Sequence, residues 1–395
     1  MYKNNRSRHG HGNGGYRGRG DGRGYRTKTF DPSHIVGRVQ IPTNGQEVDE
    51  EVKHSFSDFA LPETLKNKIA ERGFVVPTPV QDKAIPEILL GSDVVGIANT
   101  GTGKTAAFLI PLIAKAMQST RNRVLIITPT RELAAQIEDE LSQLVRNLKI
   151  FSAVCIGGVS LRGQIGILRK SPQFVIGTPG RLLDLSRQNH LYFQHFDSVV
   201  LDEVDRMLEM GFINDVQTII SDLPKNRQSL FFSATLPDSV KSTMRQFTLN
   251  PIVISVKKQD MLSNVHQDVV HVQGRDKVNI LADMLDRKEF KKVLVFGRTK
   301  RGAENLFRQL AHMGFKAAAI HGNKNQSQRR RSLESFKGGE VNVLIATDVV
   351  ARGIDVEDIT HVINYELPES YEDYLHRIGR TGRAGKQGVA LTFVG

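Results

Sequence analysis

A glycine-rich segment that ends in lysine and threonine, Ala98-Asn-Thr-Gly-Thr-Gly-Lys-Thr105, contains residue types suited to phosphate chemistry. The apolar run before it and the run Ala106–Ile110 after it predict a strand, a tight turn and a helix. Such a turn points backbone N–H groups and a helix N-terminus at one place, which suits a phosphate chain. Lys104 would reach the outer phosphates, and the Thr105 hydroxyl would hold Mg²⁺. Ala98 stands where the usual pattern has its first glycine, so the prediction of nucleotide binding also depends on the flanking strand and helix.

A second segment, Ser198-Val-Val-Leu-Asp-Glu-Val-Asp205, is an apolar strand that ends in acids. Asp202 at the carboxyl end of the strand would lie beside the phosphate loop and hold Mg²⁺. Glu203 could orient and deprotonate an attacking water. The alternative is a strand followed by a solvated helix start, where the helix dipole favours acids. The Lys104 loop earlier in the chain favours the Mg²⁺ site.

Two further segments carry side chains suited to a nucleotide. Gln81 ends the segment Gly73-Phe-Val-Val-Pro-Thr-Pro-Val-Gln81 and can form two hydrogen bonds with adenine. A phenylalanine such as Phe56 can stack on the base; alone, this segment would be an ordinary turn with prolines. His376-Arg-Ile-Gly-Arg-Thr-Gly-Arg383 places arginines after a predicted helix. Rigid guanidinium groups suit phosphoryl oxygens, although a solvated basic turn is the commoner explanation for a lone cluster.

Composition limits the class of protein. The chain has 395 residues, 39% of them hydrophobic, which is typical of a globular protein with two or more domains. Its single cysteine excludes a disulfide framework and a cysteine-based zinc site, and we expect Cys155 to be a small core residue. No apolar run approaches the ~20 residues that cross a bilayer, and the polar, basic N-terminus does not resemble a signal peptide. We therefore expect no membrane contact and a cytoplasmic location.

Positive charge is concentrated at the N-terminus. The net charge is +12, and residues 1–40 contain nine Lys or Arg against two Asp. We predict that residues 1–50 form a disordered tail, because the segment has too little apolar surface to offset the entropy of ordering. Its Arg-Gly repeats, with Tyr16 and Tyr25, suit loose contact with single-stranded nucleic acid. A tail that only improves solubility is the alternative.

The remaining sequence predicts two α/β units. Residues 51–256 alternate helical patterns with short, continuously apolar runs, which is typical of a parallel sheet covered on both faces. The predicted strands are Val94–Ala98, Val124–Thr128, Phe151–Ile156, Phe174–Gly177, Ser198–Leu201 and Ser229–Phe232. Residues 257–265 are predicted to be a linker, and the alternation resumes over 266–395. The strands predicted there are Val293–Phe296, Ala317–Ile320, Val341–Ala346, His361–Asn364 and Gly388–Val394. Since only the first unit has a phosphate loop, the second would complete a cleft.

Taken together, the motifs resemble those of the DEAD-box ATP-dependent RNA helicases of superfamily 2. The motifs occur in order across residues 56–383: Phe56/Gln81, Ala98–Thr105, Pro129–Ala134, Gly157-Gly158, Thr178–Arg181, Asp202–Asp205, Ser233–Thr235, His321-Gly322, Gln326/Arg329, Ala346–Asp355 and His376–Arg383. The resemblance implies two tandem RecA-like domains that close on ATP and single-stranded RNA.

The same resemblance implies a role for individual residues. Those implied to bind ATP are Phe56, Thr78, Gln81, Gly101, Thr102, Gly103, Lys104, Thr105, Arg352 and Asp355. The catalytic set is Lys104, Glu203, Arg380 and Arg383, with Mg²⁺ held by Thr105 and Asp202. Hydrolysis would be linked to RNA handling by Ser233, Thr235 and His376. Contacts with the RNA backbone would come from Thr130, Arg131, Gly158, Thr178, Arg181, Gly322, Gln326, Arg329 and Thr347.

Two positions depart from the usual family pattern. Val204 replaces the alanine of the four-residue signature, and Gly297-Arg298 replaces a Cys-Asn pair. Both carboxylates needed for Mg²⁺ and water remain, so we expect hydrolysis to survive. The implied function is ATP-dependent, sequence-independent unwinding of short RNA duplexes and remodelling of ribonucleoproteins by a monomer. The alternatives are an RNA clamp with little net unwinding and a plain RNA-binding module with an inactive ATPase.

Overall fold

The computed structural model describes residues 52–98, 101–256, 264–351, 356, 358–383 and 386–395. The predicted tail, most of the predicted linker, and the predicted ATP-binding residues Arg352 and Asp355 lie outside the described residues. The described part forms two α/β units, each built on a parallel sheet. None of its helices combines the length and the apolar character that crossing a bilayer requires.

The first unit is built on a sheet with strand order β3-β4-β2-β5-β6-β1-β7. Its strands are β1 (Val94–Ile97), β2 (Val124–Ile127), β3 (Ser152–Cys155), β4 (Phe174–Gly177), β5 (Ser198–Leu201), β6 (Gln228–Ser233) and β7 (Ile252–Ser255). Neighbouring residues on one strand pack into different apolar clusters, Val94 on one face of the sheet and Val95 on the other. Burial on both faces explains why these strands are continuously apolar rather than alternating.

The helices of the first unit cover both faces of this sheet. They are α1 (Glu63–Glu71), α2 (Pro79–Leu89), α3 (Lys104–Gln118), α4 (Arg131–Leu144), α5 (Leu161–Leu168), α6 (Pro179–Arg187), α7 (Val204–Glu209), α8 (Ile213–Ser221) and α9 (Asp238–Phe247). Several begin at residues that favour helix starts. Proline is the first residue of α2 and α6, and the Thr130 hydroxyl accepts a hydrogen bond from the Leu133 N–H at the start of α4.

The second unit has a sheet with strand order β10-β11-β9-β12-β13-β8. Its strands are β8 (Val265–His271), β9 (Val293–Gly297), β10 (Ala317–Ile320), β11 (Val343–Thr347), β12 (His361–Asn364) and β13 (Gly388–Val394). The helices are α10 (Lys277–Leu285), α11 (Lys300–His312), α12 (Gln326–Lys337), α13 (Asp348–Ala351) and α14 (Tyr371–Ile378). Side chains of Thr299, Asn325 and Ser370 cap α11, α12 and α14.

The prediction of two parallel α/β units is confirmed, but it omitted two strands. The edge strand β7 is short, and Ile252 and Val253 are largely exposed, so it lacks the signature of a buried strand. The edge strand β8 reads Val-His-Gln-Asp-Val-Val-His and is mostly polar. Because Val265 is the first residue of β8 and pairs with Gly388, the predicted linker over 257–265 was wrong at its last residue, and the second unit begins before residue 266.

Candidate active site

The phosphate loop, Asp202 and Ser233 lie where three neighbouring strands of the first unit end. The phosphate loop follows β1, Asp202 follows β5, and Ser233 is the last residue of β6, which lies between those two strands. The carboxyl ends of adjacent parallel strands form the usual ligand crevice of an α/β sheet. Residues that are far apart in the sequence therefore meet at one edge.

The phosphate loop has the backbone geometry that its glycines predict. Gly101 and Gly103 have φ of 84° and 88°, which only glycine adopts without strain. A Cβ on Gly103 would lie 2.4 Å from Nε2 of Gln81, which donates a hydrogen bond to the Gly103 carbonyl at 3.1 Å. Lys104 begins α3, is 6% exposed, and its Nζ donates to the Ala98 carbonyl at 2.7 Å. The lysine is thus held inside the loop; residues 99 and 100 of the loop are not described.

The side-chain amide of Gln81 is held by hydrogen bonds through both its oxygen and its nitrogen. The Thr78 N–H donates to Oε1 of Gln81 at 2.9 Å, so both ends of this amide are occupied by backbone groups. Phe56 is largely buried, and its ring lies 6.1 Å from that of Phe74 in a stacked arrangement. In this structure Phe56 packs in the core under the segment, and its stacking on a base stays a prediction.

Asp202 and Glu203 are buried acids at the end of β5. Burial raises the pKa of Asp202 to about 7, an effect that Lys104 opposes and the Glu203 carboxylate adds to. Glu203 has φ of 53°, in the left-handed region, and its Oε2 lies 3.3 Å from Nη1 of Arg206. A non-glycine residue in this conformation costs of order 1–3 kcal/mol and is often found at functional sites.

Asp205 connects the acidic segment to the Ser-Ala-Thr segment after β6. Its Oδ2 accepts hydrogen bonds from the Ala234 N–H (3.1 Å), the Thr235 N–H (2.9 Å) and the Thr235 hydroxyl (3.0 Å). The Ser233 hydroxyl accepts from the Asp205 N–H at 3.3 Å and donates to the Thr235 carbonyl at 2.8 Å. The structure therefore brings together the predicted coupling residues Ser233 and Thr235. The sequence interpretation did not assign a role to Asp205, although it ends the acidic motif.

The second unit contributes to the same site. One cavity, here called the interdomain cleft, is lined by Lys104, Glu203, Asp205, Arg206, Ala234, His376 and Arg380. His376 and Arg380 come from the second unit, so the structure brings these predicted residues to Lys104. Arg383 does not line this cleft. It lines a neighbouring cavity that it shares with Arg380, and its Nε donates to the Gly379 carbonyl at 2.9 Å.

Arg377 is a residue whose role the sequence interpretation missed. Its side chain is 1% exposed and forms two hydrogen bonds with the Asp348 carboxylate, at 2.6 and 2.7 Å. It also donates to the Glu366 carbonyl at 2.6 Å and lies 5.0 Å from the Phe296 ring centre. These contacts anchor α14 to the second sheet, and thereby the segment that carries Arg380. Its position in the arginine motif gave no sign that this side chain points inward.

The residues at the loop fit a magnesium ion with few protein ligands. Among the described residues, no group of three or more His, Cys, Asp or Glu could hold a metal by itself. Mg²⁺ is commonly held by one or two carboxylates together with substrate phosphates and water. The buried Asp202 carboxyl, beside other acids, would be stabilised in its charged form by a cation. Thr105 supplies a second hard oxygen at the start of α3.

The predicted RNA contacts of the first unit surround one loop. Arg131 packs against Gly157 and Gly158, and a Cβ on Gly158 would lie 2.3 Å from its Nη1. Arg181 donates from Nη1 to the Val159 carbonyl at 3.4 Å. Thr178 precedes α6 and is partly exposed. Arg131, Gly158 and Arg181 thus lie around residues 157–159, whereas Thr130 is buried and caps α4.

The predicted RNA contacts of the second unit divide into two groups. Thr347, buried at the end of β11, and Gly322, against which Lys300 packs, lie on the second unit alone. Gln326 and Arg329 instead reach the first unit: Nη2 of Arg329 lies 2.6 Å from Oε2 of Glu132, and Nε2 of Gln326 lies 3.5 Å from Oε1. Glu132 belongs to the Pro129–Ala134 motif, and nothing in the sequence pairs it with α12.

The two departures from the family pattern lie just after β5 and at the end of β9. Val204 is 1% exposed and packs into the apolar cluster of the first sheet. Gly297 ends β9, where a Cβ would meet Oε2 of Glu366 and Ala303 at 3.5 Å or more, which is ordinary contact. The exposed Arg298 donates its backbone N–H to that Glu366 carboxylate.

Two parallel α/β units that share a phosphate-loop cleft are the arrangement found in nucleotide-dependent helicase cores. Residues 78–243 match the family model described as DEAD/DEAH box helicase, and residues 276–385 match the helicase conserved C-terminal domain. The chain belongs to the DEAD-box ATP-dependent RNA helicases, a family of ATP-hydrolysing enzymes, as its motifs predicted.

Bacterial relatives cover most of the chain. It is 45% identical over 341 residues to the ATP-dependent RNA helicase CshA of Listeria monocytogenes, a match that covers 86% of this chain and 66% of that protein. It is 42% identical to the DEAD-box ATP-dependent RNA helicase RhpA of Helicobacter pylori, over 90% of this chain and 72% of that protein. The chain therefore spans about two thirds of the length of these relatives.

Solved structures confirm the RecA-like fold. S. cerevisiae Dbp5 bound to RNA and ADP BeF3 is 29% identical, covers 87% of this chain and 90% of its own, and has a TM-score of 0.75. A DEAD box protein from Methanococcus jannaschii is 40% identical and covers 86% of this chain and 93% of its own, yet has a TM-score of 0.51. Of these two structures, that of Dbp5 is the more similar to this chain.

Proposed function

We propose that this chain hydrolyses ATP when RNA is bound and uses the cycle to separate short RNA duplexes locally. The observation that carries the proposal is the interdomain cleft, where Lys104 and Glu203 of the first unit face His376 and Arg380 of the second. A site built from both units is complete only when they are close together. ATP binding, domain closure and hydrolysis are therefore linked by geometry.

Within the cleft, each side chain has a chemical role. Lys104 and the loop N–H groups hold the phosphates, and Gln81 positions the loop through the Gly103 carbonyl. Glu203 takes a proton from the attacking water. Arg380 stabilises charge on the transferring phosphoryl group. Mg²⁺, held by Asp202 and Thr105, would neutralise phosphate charge.

The link to RNA runs through Asp205. Asp205 belongs to the acidic segment and accepts three hydrogen bonds from the Ser-Ala-Thr segment. Movement of the acidic segment is therefore transmitted to Ser233 and Thr235. The RNA itself would lie along Arg131, Gly158 and Arg181, whose charges and open backbone suit phosphates rather than bases. Binding is then independent of sequence. At a stacking energy typical of DNA, roughly 1.4 kcal/mol per step, local strand separation suits short duplexes.

We also propose that the enzyme acts as a monomer on RNA within ribonucleoproteins, in the cytoplasm. A cleft whose lining comes from two units of one chain supports the monomer. The location and the ribonucleoprotein partners rest on the sequence arguments.

The test is ATP hydrolysis with and without single-stranded RNA, with single-stranded DNA as the control, followed by strand displacement on a short RNA duplex. We expect RNA, and not DNA, to stimulate phosphate release, and the duplex to separate only with ATP. Stimulation without displacement would select the RNA clamp. Release that does not respond to RNA would overturn the proposal.

A variant tests the assignment of the base. Glu203→Gln keeps the size of the side chain and one acceptor oxygen but cannot accept the proton, so we expect ATP and RNA binding to persist while turnover falls by at least about 10²-fold. Equilibrium binding of a labelled ATP analogue and single-turnover hydrolysis measure the two parts. Turnover near the normal rate would refute Glu203 as the base.

A further inference from the structure

The free edge of β7 carries exposed apolar side chains. Ile252 and Val253 of this strand are 42% and 54% exposed, and Leu249, shortly before it, is 78% exposed. Leu90, which follows α2, is 79% exposed, and α2 packs against β7. Asp93 joins the two segments, because its Oδ2 accepts a hydrogen bond from the Leu249 N–H at 2.7 Å. A group of four apolar residues at a sheet edge, here called the edge patch, is typical of a surface that another segment covers.

The backbone of β7 also presents hydrogen-bonding groups on the side away from β1. The Ile252 N–H donates to the Asp93 carbonyl at 2.8 Å, so the backbone groups of Ile252 face β1. Because these groups alternate in direction along a strand, those of Val253 and Ser255 point the other way. Among the described residues, no strand pairs with β7 on that side. An edge of this kind accepts an extended segment as an added strand.

The part of the chain that precedes the described residues contains a segment with the sequence of such a strand. Residues 35–41 read Ile-Val-Gly-Arg-Val-Gln-Ile and hold four of the five Val and Ile residues found among residues 1–50. In an extended chain its first, third, fifth and seventh positions, Ile, Gly, Val and Ile, share one face. The other face has Val, Arg and Gln. One apolar face and one mostly polar face are what an edge strand requires.

This segment is close enough along the chain to reach the edge patch. The Lys53 and His54 N–H groups donate to the Asp82 carboxylate at 3.1 and 3.0 Å, which holds the start of the described chain against the first turn of α2. From Asp82 to Leu90 the helix rises by about 12 Å. The connection over residues 42–52 extends to roughly 36 Å. The segment can therefore lie along β7 without a stretched connection.

From these observations we propose that residues 35–41 add to the free side of β7 as a further strand of the first sheet, and that their apolar face covers the edge patch. The backbone groups of Val253 and Ser255 supply the main-chain hydrogen bonds. A segment of the same chain is favoured over a second copy because a short tether gives an effective concentration in the millimolar range. The Arg-Gly stretch before residue 35 is then held beside the first unit, and the prediction of a disordered tail applies to that stretch.

Hydrogen exchange read at single residues by fragmentation mass spectrometry tests the added strand in the full chain. We expect the amides of Val253 and Ser255 to exchange at least about tenfold more slowly in the original chain than in Val39→Asp, because a carboxylate on the apolar face prevents docking. Gln40→Asp makes the same charge change on the other face and should keep the protection. Equal exchange of both amides in the original chain and in Val39→Asp would overturn the proposal.

Cross-linking identifies which chain covers the edge. A chain with Val39→Cys and Val253→Cys is treated with a short bismaleimide; Cys155 does not compete, because burial raises the pKa of its thiol to about 12. Ile167→Cys replaces Val253→Cys in the control, since Ile167 is an exposed residue of α5, beside the opposite edge strand β3. We expect cross-links within one chain to form at least about tenfold faster with the β7 cysteine than with the control.

The other outcomes of the cross-linking contradict the proposal. Equal rates with the two cysteines would show that the tail does not settle on β7. Cross-links that join two chains, at a rate that rises with protein concentration, would assign the edge patch to a second copy instead.

Discussion

At the scale of single residues, Gly103 is the point where the phosphate loop and the Gln81 segment meet. Gly103→Ala would put a methyl group 2.4 Å from Nε2 of Gln81, in a backbone conformation with φ of 88°. We expect the variant to displace Gln81 and thereby to weaken ATP binding by about tenfold or more. Separately, alanine in the left-handed backbone conformation should lower the stability of the fold by roughly 1–2 kcal/mol. Binding of a fluorescent ATP analogue and thermal unfolding measure the two effects.

Gly91→Ala is the matched control for this variant. Gly91 has φ of 87°, but a Cβ there would meet no atom within 4 Å. It should therefore carry the same strain and leave ATP affinity unchanged. Equal losses of affinity in both variants would show that general strain, and not the contact with Gln81, is responsible.

Residue types and their order were enough to predict which side chains meet at the phosphate loop. Lys104 and Asp202 were placed correctly because each follows an apolar strand, and strand ends converge in a parallel sheet. The inward direction of Arg377 and the pairing of Arg329 with Glu132 were not predictable in this way. Both depend on which helix faces lie opposite each other, and no local pattern encodes that.

At the scale of elements, Glu304 ties α11 to the loop after β10. Its Oε2 accepts hydrogen bonds from Nζ of Lys324 and from Nε2 of His321, each at 2.9 Å. The bond from Lys324, followed by the bond from His321, lowers the pKa of Glu304 to about 2. The carboxylate therefore stabilises the folded state fully above its ordinary pKa of 4.5, and this contribution is lost as the pH falls from about 4.5 to about 2.

Glu304→Gln tests this contribution. We expect it to lower the free energy of unfolding by about 1–2 kcal/mol at pH 7, a discounted figure because the carboxylate is partly exposed, and the difference to shrink as the pH approaches 3. Urea unfolding at several pH values measures it. Glu369→Gln, at an exposed position of the same unit, is the control. A difference that stays constant with pH would mean that the charge on Glu304 is not the cause.

Two of the four edge strands, β7 and β8, show where the sequence pattern was weakest. Strands at the centre of each sheet are buried on both faces, and their apolar runs predicted Phe174–Gly177, Ser198–Leu201 and His361–Asn364 at the bounds observed. β7 and β8 each pair on one side only and face solvent in part, so their sequences need not be apolar. Their pairing partners, rather than their composition, make them strands.

At the scale of the whole molecule, charge is distributed unevenly between the tail and the two units. Nine basic residues precede residue 41, and the tail is predicted to contact single-stranded nucleic acid. We expect deletion of residues 1–50 to weaken RNA binding while ATPase activity persists. The slope of the logarithm of the binding constant against the logarithm of the salt concentration should become shallower by about 0.7 for each phosphate that the tail no longer neutralises. Fluorescence anisotropy over a series of salt concentrations measures the slope.

A tail of the same length, with its Lys and Arg replaced by Gln, separates charge from length. We expect it to behave as the deletion does, because counterion release depends on the cations. If the slope is unchanged in either variant, the tail serves solubility alone.

Cys155 lies at the end of β3 with its side chain buried, and burial raises the pKa of its thiol to about 12. Since only the thiolate reacts with maleimides, this sulfur will be inert toward such reagents while the chain is folded. It is also the one cysteine of the chain. A reporter dye can therefore be attached at any introduced surface cysteine without first removing the native one, which opens the motions of the two units to single-molecule observation.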